Sequence, residues 1–296
     1  MRNTNVQSYW KKSAPYIWVS PSVLTLFLLT VVPTLLLFNI SLTSFEIGYP
    51  WEDREYIGLD NYVRLFNGRE VEFWPSINLS IFVTVISVVM TLCIGLAVAV
   101  LFNRKIKFKY LFTTILILPM AVNPAIAGLM WKLLFSFDFG IINVFVEKYW
   151  GYKIVWLGQK YALFSTLVVL IWMHIPISAL LLLAGLENIN QDTIMAAKLD
   201  GCSDTQAFRL IVLPQLKPVI ISSSLFQAIL AFQTFGPIFT LTNGGPGSVT
   251  TILPMFVYKT GFGLGMMGMA AAGAVVLVAI TAILSLMIMW TGRKKA

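Results

Sequence analysis

Long apolar stretches alternate with short clusters of charge along the chain. No Asp, Glu, Lys or Arg occurs between Lys12 and Glu46, Glu72 and Arg104, Lys109 and Lys132, Lys160 and Glu187, Lys217 and Lys259, or Lys259 and Arg293. Each gap exceeds the roughly 20 residues an α-helix needs to cross about 30 Å of hydrocarbon. Peptide groups find no water there, so helices are the economical way across. A transmembrane barrel would instead show alternating segments of about ten residues, which this pattern lacks. The spacing predicts spans near 16–40, 77–102, 111–134, 161–184, 218–241 and 266–290. The expectation is an all-α membrane protein with six transmembrane helices, forming a single transmembrane domain over 1–296.

Composition agrees and narrows the class. Hydrophobic residues make up 58% of the chain and charged residues 11%, where soluble domains run near a quarter charged. Arg2, Lys11, Lys12, Arg104, Lys105, Lys107, Lys109, Lys198, Arg209, Lys217, Arg293, Lys294 and Lys295 fall on one side of this topology. They are 13 of the 21 basic residues. The opposite side carries nine acids, seven of them between Glu46 and Glu72. The positive-inside rule then places both termini in the cytoplasm. Topology accounts for the net charge of +8, so no nucleic-acid partner is needed. The first apolar run is too long for a cleavable signal peptide and no A-x-A-like site closes it, so it stays as a span. Cys93 and Cys202 fall at different depths, which leaves a disulfide or metal cluster unsupported. A single histidine, His174, gives little material for a zinc site or a hydrolytic triad.

Between the spans, the external loop 44–75 predicts a short ordered cap, and 136–160 a lip or interfacial turn. Trp10, Trp18, Trp74, Trp131, Trp150 and Trp290 stand at predicted boundaries, as interfacial anchors do. Around the start of the sixth span, Gly261, Gly263, Gly265, Gly268, Ala270, Ala271, Ala272 and Gly273 invite close packing, against a partner subunit or another span.

The loop 186–218 between the fourth and fifth spans has more structure than a linker requires. Asn190 is placed to cap a short helix through Met195, Ala196, Ala197, Lys198 and Leu199. Asp200-Gly201 breaks it, with Gly201 suited to a left-handed position. Ser203-Asp204-Thr205-Gln206 is a capping box opening a second helix, whose apolar residues are Ala207, Leu210, Ile211 and Leu213 and which Pro214 ends or kinks. A passive amphipathic hairpin on the membrane surface is the other reading of the same residues.

Met195-Ala196-Ala197-x-x-Asp200-Gly201, followed by Phe208, Ile211, Leu213-Pro214 and Pro218, resembles the EAA loop of permease subunits of binding-protein-dependent ABC importers. Leu241-Thr242-Asn243-Gly244-Gly245-Pro246 is similar to the L-T-x-G-G-P signature of their carbohydrate branch, the maltose and multiple-sugar type. Ile57-Gly58-Leu59-Asp60-Asn61-Tyr62 and Gly140-Ile141-Ile142-Asn143 are weaker echoes in the same order. Two departures stand out: Met195 replaces the family's Glu, and Asn190 stands where a Pro is often found. The resemblance implies a subunit of the bacterial cytoplasmic membrane, paired with a second permease, two ATPase subunits and an extracellular or periplasmic binding protein. ATP and Mg would be bound by the ATPases, since the chain has no G-x-x-x-x-G-K-[ST] phosphate loop and is not itself an enzyme. It further implies coupling to the ATPase through Met195, Ala196, Ala197, Leu199, Asp200, Gly201 and Phe208.

The same resemblance points to a sugar site on the fourth and fifth spans. Trp172, Met173, His174 and Ile177 lie beside a kink at Pro176. Gln227, Leu230, Ala231 and Thr234 follow i, i+3, i+4, i+7 spacing on one helix face. Interhelical hydrogen bonding by Gln227 and Gln233, packing by His174, and a bond from Thr234 to its own helix remain open alternatives. No Arg lies in any span, which favours a neutral saccharide over a sugar phosphate. An ATPase-independent carrier or channel is the competing class, although the spans lack the buried acids that ion coupling requires.

Overall fold

The computed structural model describes residues 4–104 and 107–293, with side chains from Tyr16 to Trp290 except Ile17 and Ile288. Arg2, Lys105, Lys294 and Lys295 of the basic set lie outside the described residues. So do the side chains of Trp10, Lys11, Lys12 and Arg293. The described chain is helical, its one β-bridge being an isolated pair, Thr43 with Tyr56. Among the described residues, five helices are long and apolar enough to cross a membrane, six if one bent pair counts as a single span.

Two compact units divide the chain. The first, Met1–Arg69 with Val257–Val275, contains α1 (Thr4–Ser41), α2 (Asp60–Phe66) and the start of α13 (Met267–Arg293). Most of α1 leaves its apolar side chains exposed, as a span that meets lipid or a partner does. Its far end is tied down by the Ile57–Tyr62 segment. Gly58 turns the chain at φ +57°, and Asn61, 3% exposed, donates to the Ser41 and Thr43 carbonyls at 2.9 Å each. The Tyr62 and Ser41 hydroxyls meet at 2.7 Å. Part of the small-residue stretch packs here too, against a loop rather than a partner or a span. The Gly268 N–H donates to Phe45 O at 2.9 Å, and a Cβ on Gly268 would stand 2.0 Å from Thr43 O.

The second unit, Glu70–Phe256 with Val276–Ala296, is organised around α3 (Phe73–Phe102) and α7 (Ala162–Glu187). Ser76, Ser80, Thr84, Ser87, Thr91, Gly95 and Ala99 recur every three to four residues on the buried stripe of α3. On α7 that stripe includes Ala162, Ser165, Thr166, Ser178 and Ala179. Small side chains let backbones approach closely, and dispersion rather than hydrophobicity rewards this in lipid. A Cβ on Gly95 would lie 2.8 Å from the Ser178 Cβ.

Two predicted spans are broken. The 111–134 stretch is two helices, α4 (Lys109–Ala121) and α5 (Pro124–Leu134), bent by 103°. Asn123 accepts the Ala125 N–H at 2.9 Å, and Pro124 occupies the first turn, where its missing N–H costs nothing. The 218–241 stretch ends as a helix at Phe232; Gln233–Phe235 is non-helical before α11 (Gly236–Leu241). The α5–α11 packing is tight: Thr240 donates to Ala125 O at 2.9 Å, and Gly128 has no room for a Cβ against Thr240 and Pro237.

The lip contains a helix that the sequence reading did not anticipate, α6 (Ile141–Trp150). Asn143, 1% exposed, knots it to the return strand of chain. Its Nδ2 donates to Ile154 O at 2.9 Å, and its Oδ1 accepts from Ile154 N–H and Trp156 Nε1–H at 3.0 Å each. Trp131, expected at a membrane boundary, is half-buried. It packs edge-on against Trp172, with ring centroids 5.6 Å apart, in a cluster with Phe135, Val169 and Leu241. The L-T-N-G-G-P segment is likewise a knot. Asn243 (φ +52°) and Gly244 (φ +80°) turn it, the Thr242 and Thr250 hydroxyls meet at 2.8 Å, and Thr251 donates to Gly244 O. α12 (Leu253–Tyr258) follows, its first N–H given to Ser80 Oγ at 2.7 Å.

Candidate functional site

The loop 186–218 forms a hairpin of α8 (Gln191–Leu199) and α9 (Asp204–Ala207). Asn190 accepts the Asp192 N–H at 2.8 Å, capping α8. At its other end Cys202 N–H donates to Ala197 O and Gly201 N–H to Lys198 O, the paired bonds of a Schellman turn. Gly201 sits at φ +90° with open space around its Cβ position, so glycine is there for its dihedral angle and not for fit. The reciprocal Ser203–Gln206 capping box is formed, and Lys198 pairs with Asp204 at 2.6 Å.

The hairpin has an inner and an outer side. Ile194 and Phe208 pack on a cluster of Ala99, Leu182, Leu186, Val212 and Leu216, which anchors the turn to α3, α7 and α10 (Leu213–Phe232). Met195, Ala196, Leu199 and Asp200 are exposed, Leu199 at 90%. Among the seven residues singled out from sequence, Phe208 is therefore turned inward and Ala197 is half-buried. Pro214 does not end the second helix. A π turn at Phe208–Val212, with Leu213 N–H donating to Phe208 O, precedes α10 (Leu213–Phe232). That wider turn accommodates the proline ring, and the helix continues to Phe232.

The residues named for a sugar site do not converge on one cavity. Gln227, 1% exposed, spans the α7–α10 seam, its Nε2 donating to Ser178 Oγ at 2.7 Å and His174 O at 3.2 Å. That is the interhelical bond left open by the sequence. Gln227 Oε1 and Ser223 Oγ are buried without a hydrogen-bond partner. Trp172 and Met173 belong to the aromatic cluster around Phe135. Ile177 lines a cleft of about 360 Å³ with Leu181, Val219, Ser222, Ser223 and Phe226. Ala231 is buried and Leu230 half-buried. Thr234 lies beyond the helix end, its N–H given to Ala231 O at 3.3 Å. It shares no helical face with Gln227, because the helix stops at the Gln233 cap. Ser222, Ser223 and Phe226 were missed. Their i, i+1, i+4 placement beside Gln227 was the available signal. Cys93 and Cys202 are both free thiols.

Residues 91–295 match the model of the binding-protein-dependent transport system inner membrane component family. A probable ABC transporter permease protein of Sinorhizobium fredii, y4oQ, is 34% identical over 93% of this chain and 88% of its own length. The trehalose/maltose transport system permease protein MalF of Thermococcus litoralis is 31% identical over 91% of this chain and 90% of its own. The arabinooligosaccharides transport system permease protein AraP of Halalkalibacterium halodurans is 30% identical over 93% and 86%. The fold matches a bacterial ABC transporter involved in import of the acidic polysaccharide alginate, with a TM-score of 0.82 over 99% of both chains at 18% identity. The chain, with its capped hairpin and apolar helices, is a permease belonging to the family of binding-protein-dependent transport system inner membrane components.

Proposed function

We propose that this permease forms half of the translocation pathway for a saccharide. A second permease supplies the other half, and two ATPase subunits bind ATP and Mg and drive the cycle. An extracellular or periplasmic binding protein delivers the sugar. The α8 hairpin is the element that docks on an ATPase, which puts it and both termini on the cytoplasmic side. One observation carries this reading: the hairpin is capped at both ends and anchored from within by Ile194 and Phe208, while Met195, Ala196 and Leu199 face outward and are exposed. Rigid support beneath an exposed apolar face is what a docking surface requires. Met195 offers a flexible thioether contact where relatives of the EAA type use a carboxylate.

Saccharide as cargo is supported by the relatives named above for trehalose/maltose and arabinooligosaccharides. A neutral one fits best. α7 has no cation, and the only one in α10 is Lys217, near its hairpin end, so a phosphate at mid-seam would find no partner. The cleft beside Ile177, Phe226 and Ser222 is the stretch of pathway this chain contributes.

The test is the composition of the complex. The chain would be tagged at its C-terminus, extracted from its host membranes in mild detergent, and its co-purifying proteins identified. A P-loop ATPase and a different six-span permease are the expected result. Recovery of the chain alone, or only with itself, would overturn the proposal.

A further inference from the structure

The groove at the Ala162 end of α7 has the chemistry of a lipid site. It encloses about 360 Å³ and is lined by Tyr152, Lys153, Ile154, Val155, Lys160 and Tyr161, together with Gly158 and Gln159. Its walls are apolar and its two charges are both cations. On α6, Ile141, Val144, Phe145 and Tyr149 are 47–68% exposed on one helical face, while Asn143, on the opposite one, is bonded to Ile154 of the groove. Trp150, Tyr152 and Tyr161 add amphipathic rings of the kind that settle at a membrane–water boundary.

Charge distinguishes this patch from plain lipid contact. Residues 136–160 carry Lys148, Lys153 and Lys160 against the two acids Asp138 and Glu147. Lys153 pairs with Glu147 at 3.6 Å, with the carboxylate half exposed, an interaction of small worth. Lys160 meets only the Tyr161 ring, 5.1 Å away, and no carboxylate among the described residues. α7 opens beside it with no side-chain cap and no acid in its first turn, so its positive dipole end also favours an anion.

We propose that this groove binds an anionic phospholipid, its acyl carbons against Ile154, Val155 and Tyr152 and its phosphate held by Lys153 and Lys160. The permease would then be stabilised by such lipid where the helix bundle meets the headgroups. Each lysine near an anionic surface is worth about a fivefold change in partitioning.

The full transporter, purified in mild detergent, would be titrated with phosphatidylglycerol or phosphatidylcholine, and bound lipid counted by native mass spectrometry with thermal midpoints recorded alongside. Wild type should retain phosphatidylglycerol over phosphatidylcholine. Lys153→Gln with Lys160→Gln should lower that retention about 25-fold, Val155→Ser should weaken both lipids, and Lys148→Gln, outside the groove, should act less than either groove lysine. Equal retention of the two lipids, or no loss in the double variant with the fold intact, would overturn the proposal. Stabilisation by inorganic phosphate alone, equal to that by lipid, would overturn it in favour of a free-anion site.

Discussion

Gln227 of α10 donates its amide to the Ser178 hydroxyl of α7 at 2.7 Å, inside a seam where both residues are almost wholly buried. The bond reaches across 49 positions of sequence at the depth where a pathway residue was expected. It makes Gln227 a clasp between helices, its Oε1 still unsatisfied.

Replacing that clasp separates structure from cargo handling. Gln227→Leu removes two interhelical bonds, to Ser178 Oγ and His174 O, together with one orphaned carbonyl, so the net loss should stay at about 0.5–2 kcal/mol. A lower thermal midpoint with an unchanged KM for transport is the expected pair of readings. A raised KM with unchanged stability would return Gln227 to the pathway.

Gly201 tests the hairpin. Its φ of +90° is open to glycine and closed to proline, whose ring fixes φ near −65° and removes the N–H that Lys198 O accepts. Gly201→Pro should leave membrane insertion intact while ATP hydrolysis continues without uptake in reconstituted vesicles. Gly201→Ala, with only the left-handed penalty of about 1–2 kcal/mol, should transport at a reduced rate. Wild-type transport by the proline variant would refute the coupling role.

Asn143→Ala should be among the costliest single changes. It strands the Ile154 N–H and the Trp156 indole N–H, which Asn143 now satisfies, while Ile154 O keeps the Trp156 backbone N–H. Each buried orphan costs about 1–3 kcal/mol. Limited proteolysis should then open the chain between residues 136 and 158 well before the long helices are cut.

Gly268→Ala examines the first unit. The added methyl would collide with Thr43 O, and overpacking of this kind costs about 1–3 kcal/mol. Because Asn61 binds the same carbonyl at 2.9 Å, the Asn61→Ala variant should be non-additive with it in a double-mutant thermal series.

Much of this was legible in the chain, for identifiable reasons. Charge gaps mark apolar length, so α3, α7 and α13 fall where the gaps do. Caps are local chemistry, so Asn190, Gly201 and Ser203–Gln206 announce the hairpin. The bend at Asn123-Pro124 was hidden, since counting apolar residues does not register a cap and a first-turn proline inside a gap. The end of α10 was missed for a related reason: a 3.6-residue period carries Thr234 onto the Gln227 face only if the helix lasts that long. Phe208 was assigned to the docking surface by its place in a motif. Its direction depends on Ala99, Leu182 and Leu216, which no local pattern brings together. Asn61, Asn143 and Asn243 show what several of the loop motifs do physically, which is to fold the chain back and fasten it.

The π turn at Phe208–Val212 has a mechanical consequence. Because it lets the chain pass Pro214 without a break, the rod from Asp204 to Phe232 contains no loose joint. In the proposed docking, a displacement applied to the outer side of the hairpin would be carried along α10 as by a crank, until the first non-helical backbone at Gln233–Phe235. The far end of that crank is where Thr234 sits, just past the last helical turn.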